Sequence, residues 1–576
     1  MPGFLGYKSY SRQPIFTDNT RLDLIHDCAH HKDKFYLERR TIDKFQQDKF
    51  IYEDDNMIFI LDGIILNAHE ICREQQTESF QNAIIVLYKK QQLTFLNNLR
   101  GSFSGAVYDK RNDLLALFTD QIGSKPVFYY SGKDCFIFGS EIRYVTDCLK
   151  CSGIVYDLNI ESAYGLLTLG YTIEGRTMFT GIHQLKPGQT LFVHNAKVHS
   201  ETYFILRNEP DFSLKEADII EQIDFLFRQA VTRAFDKDEE YGYKHLACLS
   251  AGLDSRMTNW VAHDLGFQNI LNVSFSQSGY YDEQIPQLIA EKLQNDWIFK
   301  SLDNGNCLYL IDEIVRIASG TLFYGSAHLR SVFNILNMNQ YGIIHTGQLG
   351  DVVLGTFYST LDIHKKFTSS TSAYSLILQH RLPTKFIHDI YANEEIYKFY
   401  TRGFYGVNQG LFVRQQKNET YSPFYDLDFM DFCLSIPVKY RFGHRIYDKW
   451  VLQKYPEAAE FLHNGKRKIG NSNGIKLTYK ERAFFLSELP RLITDKIKYK
   501  VTGSPLAGKH HMNPLDYWYR TNIRLQTFLD NYYKENIERL SPYPQLQADC
   551  QKLYTGYSGI EKNAVLTLLA IMKNYL

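Results

Sequence analysis

Apolar and polar positions follow one rhythm up to about residue 213 and a different one beyond it. In the first stretch, short apolar runs separated by polar turns predict strands. Residues 57–66 read as a run broken at Asp62-Gly63, a dipeptide that signals a hairpin. Residues 102–109 and 114–118 pair across a polar turn at 109–113, and Pro187-Gly188 marks a turn ahead of a strand at 190–193. After residue 213, Ile219, Ile220, Ile223, Leu226, Phe227, Ala230, Val231 and Ala234 recur at three- and four-residue steps, the period of an amphipathic helix. Strand-like runs at 245–250 and 270–275 are then followed by helical patterns from Arg256 and over 282–293. That alternation predicts a parallel sheet flanked by helices. The last hundred residues read as mostly helical, ending in an apolar helix over 563–572. The expectation is two domains, 1–205 with antiparallel layered α+β character and 206–576 of α/β type with a helical C-terminal part.

Composition narrows the function classes. Across 576 residues, 64 Lys plus Arg balance 64 Asp plus Glu, so the chain lacks the basic excess of a protein that works by neutralising nucleic-acid phosphates. A hydrophobic share of 44% with 22% charged residues excludes a disordered chain. No apolar run is long enough to span a bilayer. The opening residues carry no long apolar run and no small-residue cleavage site, and nine cysteines are too sparse for a disulfide scaffold. The expected compartment is therefore the cytoplasm, without nucleic-acid or membrane partners.

The stretch Cys248-Leu-Ser-Ala-Gly-Leu-Asp-Ser-Arg256 carries the clearest chemistry. An apolar strand runs through a small, hydroxyl-rich loop into a helix, an arrangement that offers backbone N–H groups and a helix N-terminus to an anion. Asp254 would repel a phosphate unless a cation lay between them, which calls for Mg²⁺. The Walker lysine is missing. On the loop alone, an ordinary strand–turn–helix connection also accounts for the pattern.

Ser250-Ala-Gly-Leu-Asp-Ser-Arg256 resembles the pyrophosphate-binding loop Ser-Gly-Gly-Leu-Asp-Ser of the asparagine synthetase family, with Ala251 in place of a glycine. Further motifs follow in the family's order. Asp282-Glu283 opens the next helix, and Thr346-Gly-Gln-Leu-Gly-Asp351 is similar to the second loop, Ser-Gly-x-Gly-x-Asp. Glu419-Thr-Tyr-Ser-Pro-Phe-Tyr-Asp426 resembles Glu-x-Arg-x-Pro-Phe-Leu-Asp, with Tyr421 at the arginine, and Lys466-Arg-Lys-Ile-Gly470 resembles Arg-x-Lys-x-Gly. The resemblance implies an ATP-pyrophosphatase (PP-loop) domain that adenylates a carboxylate and passes the acyl group to an amine. It places Leu249, Ser250, Ala251, Gly252, Leu253, Asp254, Ser255, Gln277, Thr346 and Gly347 at ATP and pyrophosphate, Asp254 and Asp351 on Mg²⁺, and Lys468, Glu419 and Gln348 at the reacting groups. Lys468 would act as a fixed cation; Glu419 would orient the amine or accept its proton.

The N-terminal half also resembles this family, through Leu99-Arg-Gly-Ser-Phe-Ser-Gly-Ala-Val-Tyr-Asp109, Asp120-Gln-Ile-Gly-Ser-Lys-Pro126, Ser140-Glu141 and Leu185-Lys-Pro-Gly188. The implied fold is an Ntn-type layered sandwich, a glutaminase whose nucleophile is a cysteine after the initiator methionine. Here position 2 is Pro2, and Asp62-Gly63-Ile64 stands at the glutamine-holding Asn-Gly-Glu. Without a thiol no thioester forms, so the expected activity is that of a ligase with a dead glutaminase half. β-Lactam synthetase and the lasso-peptide cyclases share this loss. The amine would be ammonia, a small amine or one within the substrate; the acceptor would be an aspartate-like acid, a sugar acid or a peptide carboxylate. A homodimer and a separate ammonia- or peptide-delivering partner are both compatible with this. The alternative is a non-catalytic or partner-dependent member that binds nucleotide or peptide, which Ala251, Gln348 and Tyr421 would favour. His26-Asp-Cys-Ala-His-His31 and Cys148-Leu-Lys-Cys151 have neither metal-site spacing nor a redox context and read as structural.

Overall fold

The computed structural model describes residues 2–11, 13–15, 24–326, 330–355, 357–382, 390–462, 476–479, 482–485 and 508–576. Among the described residues, twelve strands build the first part: β1 (Gly3–Ser9), β2 (Leu24–His31), β3 (Phe35–Ile42), β4 (Phe50–Glu53), β5 (Met57–Ile65), β6 (Gly101–Asp109), β7 (Leu114–Thr119), β8 (Phe128–Ser131), β9 (Cys135–Gly139), β10 (Ile182–Gln184), β11 (Gln189–His194) and β12 (Lys197–Thr202). They form two six-stranded antiparallel sheets, ordered β10-β8-β9-β1-β3-β2 and β12-β11-β7-β6-β5-β4. One apolar cluster is fed by both sheets, with Phe4, Leu37 and Phe138 from the first and Ile58, Ile60 and Leu117 from the second. On its other face the second sheet gives Phe59, Leu61 and Ile65 to a cluster with helices α1 (Ala68–Gln75) and α2 (Phe80–Gln91). Strand β5 is thus buried on both faces, so its sequence is a continuous apolar run rather than an alternating one.

The Asp62-Gly63 hairpin expected within that run does not form; Met57–Ile65 is one unbroken strand paired along its length with β6. Gly63 is there for another reason. Its φ of +148° and a side-chain position that would collide with the Ser102 carbonyl leave room only for glycine. Asp62 lies buried in the strand, where its carboxylate accepts from Thr41 Oγ1 at 2.5 Å.

Helices α3 (Ile142–Cys151) and α4 (Ile160–Leu169) cover the first sheet. They share one apolar cluster with much later segments: Ile142, Val145, Leu166 and Leu167 pack with Trp518, Leu529, Leu553 and the helix Gly559–Tyr575. The core therefore crosses the boundary expected near residue 205.

The second part opens with α5 (Glu216–Glu240), whose buried positions are the three-and-four-spaced apolar ones, followed at its end by buried Lys237 and Asp238. Strands β13 (Lys244–Cys248), β14 (Leu271–Ser276), β15 (Asp296–Ser301), β16 (Tyr341–His345) and β17 (Thr420–Tyr421) form a sheet ordered β15-β14-β13-β16-β17 in which every pairing is parallel. Helix α6 (Leu253–Asp264) follows β13 and α7 (Tyr281–Lys292) follows β14. Among the described residues no helix is long and apolar enough to cross a membrane.

Candidate active site

Strand β13 ends at Cys248, and four residues later the chain enters α6 through Gly252, whose position at the helix start carries no side-chain cap. The first-turn N–H groups of this twelve-residue helix are therefore open to an anion. The turn itself is held by its own side chains. Ser250 N–H donates to Ser255 Oγ at 2.9 Å, Gly252 N–H to Ser250 Oγ at 3.2 Å, and Ala251 N–H to Asp282 Oδ1 at 2.7 Å. Ala251 has no positive φ, so the turn tolerates alanine there.

A second loop leaves β16 at His345 and enters the helix Gly350–Gly355, with Asp351 in its first turn. Leu349 sits at φ +63°, a strained setting for a branched side chain. The two loops pack directly on one another. A side chain at Gly347 would run into the Asp254–Ser255 backbone, and one at Gly350 would come within 2.7 Å of Asp254 Cγ. Burial and the neighbouring Asp351 charge push the Asp254 carboxyl well above the usual carboxylate range, against the Asp351 backbone N–H and the Tyr447 hydroxyl, which donates at 3.0 Å. Among the described residues neither aspartate is ion-paired. Two adjoining carboxylates that lack a cation form the donor set a hard divalent ion takes.

Between the loops lies a cavity of about 230 Å³. Of the residues expected at ATP, Leu249, Ser250, Gly252, Asp254, Ser255, Thr346 and Gly347 line it, as does Gln348. Ala251 and Leu253 are buried behind the wall. Gln277 is turned away: its side chain donates to Asp303 and accepts from Trp518 Nε1 at 2.5 Å. Lys468 lies outside the described residues. Sequence reasoning did not foresee Phe275, Arg414 and Met512 on the wall, nor that Asp282 would stand there clamping the first loop. The Gln348 side chain is oriented by Tyr425, whose hydroxyl donates to Oε1 at 3.1 Å.

Arg256, the residue after Ser255, is wholly buried and makes no ion pair among the described residues. Its guanidinium donates to the carbonyls of Ala251 (3.1 Å), Ala458 (2.9 Å), Phe461 (3.2 Å) and Leu462 (2.9 Å), tying the loop to a distant chain segment. Beneath the second loop, His245 Nδ1 and His345 Nε2 lie 3.1 and 2.8 Å from Asp238 Oδ2, and Ile343 N–H donates to Asp238 Oδ1 at 2.7 Å. This buried triad braces the end of β16.

Glu419, one residue before β17, is not on the cavity wall. It is 1% exposed and held between two lysines of the N-terminal part: Lys49 Nζ is 2.8 Å from Oε1 and Lys125 Nζ 2.7 Å from Oε2. Lys125 also stands 3.8 Å from Asp62. Burial alone would raise the Glu419 carboxyl, but the Lys125 and Lys49 ammoniums outweigh it and hold it at about 2.

Several known proteins are similar to this chain. Residues 40–204 match the family model of a glutamine amidotransferase domain. The chain is 25% identical over 218 residues to the glutamine-hydrolysing asparagine synthetase 3 of Bacillus subtilis (strain 168), a match covering 37% of this chain and 34% of that one. It is 24% identical over 362 residues to the putative glutamine-hydrolysing asparagine synthetase 2 of Methanocaldococcus jannaschii, covering 59% of this chain and 67% of that one.

The chain is asparagine synthetase-like.

The matched stretch spans about a third of the first of these relatives and two thirds of the second. A solved glutamine phosphoribosylpyrophosphate amidotransferase from B. subtilis covers 52% of this chain and 85% of its own at 12% identity; its TM-score of 0.24 adds nothing to the assignment. In this asparagine synthetase-like chain, the residue leading into β1 is Pro2, Ser140 Oγ accepts from Phe4 N–H at 3.0 Å, and Ile64 lies fully buried in β5.

Proposed function

We propose that the chain is an ATP-dependent ligase that adenylates a carboxylate, releases pyrophosphate and passes the acyl group to an amine, without hydrolysing glutamine. The observation that carries this is the packing of two loops on one cavity, with Asp254 and Asp351 side by side where they meet. These carboxylates would hold Mg²⁺, which would offset the charge of the phosphates. Ser250, Gly252, Ser255 and the uncapped start of α6 would receive pyrophosphate oxygens. Phe275, Met512 and Leu249 give one wall the apolar character that suits a planar base. Gln348 takes no proton at neutral pH, so with Oε1 engaged by Tyr425 it serves as an N–H donor. Glu419, its carboxyl held at about 2, is a fixed negative charge and not a base at neutral pH.

The reading that glutamine is not the amine source rests on the start of β1 in the first sheet and on β5 in the second. The residue entering β1 carries no nucleophile, and Ile64 has no carboxylate with which to hold an α-amino group. The test is pyrophosphate release from ATP and Mg²⁺ across a panel of carboxylates, with ammonium salt, glutamine or no added amine. Release that depends on the carboxylate, is supported by ammonium but not by glutamine, and is abolished in Asp254→Asn is the expected result. Support by glutamine would reject the amine assignment. Absence of release from the wild-type chain across the whole panel would favour a non-catalytic nucleotide-binding protein.

A further inference from the structure

Among the described residues, the fully buried arginines other than Arg414 find acceptors for most of their guanidinium, although Arg256 Nε also lacks one. Arg441 forms a two-pronged pair with Glu395 at 2.7 and 2.8 Å, Arg40 one with Glu38 at 2.6 and 3.0 Å, and Arg256 reaches four carbonyl oxygens. Arg414, at the end of the short turn Asn408–Val413, is 8% exposed and lines the cavity between the two loops. Its Nε and Nη1 have no hydrogen-bond partner among the described residues. Among the described residues no carboxylate forms an ion pair with it, and it is the only cationic side chain on the cavity wall. A guanidinium does not escape such a site by losing its proton, so its N–H groups call for acceptors that the chain does not supply among the described residues.

We propose that Arg414 is an oxyanion-binding residue of this cavity, receiving a phosphate or carboxylate of the ligand that fills it. The assignment rests on the same cavity as the ligase reading but does not require turnover. Location supports it. The charge of Arg414 is felt by the Cys248 thiol at the end of β13 and by the Tyr425 phenol that orients Gln348, so the guanidinium stands where the first loop's strand and the second loop converge. The flat fork of donors fits two oxygens of one planar or tetrahedral anion. The surrounding segment is built for polar contact as well. Asn408, Gln409 and Gln415 are nearly fully buried with no partner at either side-chain amide atom.

An uncompensated buried cation weakens the ligand-free fold, and this separates a binding role from a structural one. The experiment is a thermal-shift titration of the full chain and of Arg414→Met and Arg414→Lys with inorganic pyrophosphate, ATP plus Mg²⁺, adenosine and acetate. Arg414→Met should raise the ligand-free midpoint, weaken at least one oxyanion by roughly tenfold or more, and leave adenosine binding as in the wild type. Arg414→Lys should fall between. Loss confined to pyrophosphate and ATP identifies a phosphate as the partner; loss confined to acetate identifies the acceptor carboxylate. The proposal is overturned if the wild type responds to none of the three oxyanions, if the Met variant binds them unchanged, or if its ligand-free midpoint falls. Oxyanion binding that is lost in the variant, in a wild-type chain that releases no pyrophosphate from ATP, would keep Arg414's role and reject the ligase reading.

Discussion

Replacing Lys125 by methionine tests how the two parts of the chain are joined. The side chain is 4% exposed, 2.7 Å from Glu419 Oε2 and 3.8 Å from Asp62 Oδ2, while Lys49 holds the other Glu419 oxygen at 2.8 Å. Two cations and two anions balance in a space closed to water. Methionine keeps the volume and leaves one cation facing two anions. Breaking a buried pair from one side costs about 3–5 kcal/mol, because the partner left behind is neither solvated nor matched. The sign with pH follows from Glu419. Its folded-state value of about 2 lies below the ordinary 4.5, so its stabilising contribution is complete above roughly pH 4.5 and disappears as the pH falls towards 2. With Lys125 gone the carboxyl rises, and acid unfolding should begin at higher pH than in the wild type. Urea unfolding at pH 7 and an acid titration followed by far-UV circular dichroism read both effects. A double-mutant cycle with Glu419→Gln should return a coupling of about 1–3 kcal/mol. A cost below about 1 kcal/mol, no coupling in the cycle, or an unmoved acid transition would each show that the cluster is not held as a closed set of charges.

Gly347→Ala should separate the two loops, since its side chain would enter the Asp254–Ser255 backbone. The expected result is loss of pyrophosphate release with about 1–3 kcal/mol of destabilisation, while Gly556→Ala, with open space around it, leaves both unchanged. Arg256→Lys keeps the charge but not the fork that reaches four carbonyls. A loss of about 2–4 kcal/mol in chemical denaturation is expected, and a neutral result would mean that the tie between loop and segment is not structural.

The elements that local pattern encodes were legible in the sequence. Helix α5 buries the positions its period marks, and β13, the small loop and α6 follow in the expected order, because one-sided burial leaves a period in the chain. Asp62-Gly63 misled for a physical reason. The same dipeptide serves a turn when exposed and a strand when its carboxylate is met by Thr41 and the next backbone presses on its glycine. Lys49 and Arg414 left no local trace, and Lys125 stood out only as a member of the 120–126 motif, not as a partner of Glu419. The lysines matter through an anion far along the chain, and Arg414 through the lack of one. Loop motifs brought Asp254 into view, yet that Gly347 and Gly350 allow the two loops to touch is a property of three dimensions alone.

The cluster shared by α3, α4 and the helix Gly559–Tyr575 has a consequence for synthesis of the chain. The Tyr156 hydroxyl donates to the Tyr575 carbonyl across 419 residues of sequence. At roughly 5–20 residues per second, a ribosome needs on the order of 20–80 s to cover that interval. Throughout it, Leu166 and Leu167 wait without the Leu568 and Leu569 side of their core. The first-made sheets can pair early, but their helical cover must stay open, or be guarded by a chaperone, until the late helix emerges. Order of translation and order of core completion are opposed in this fold.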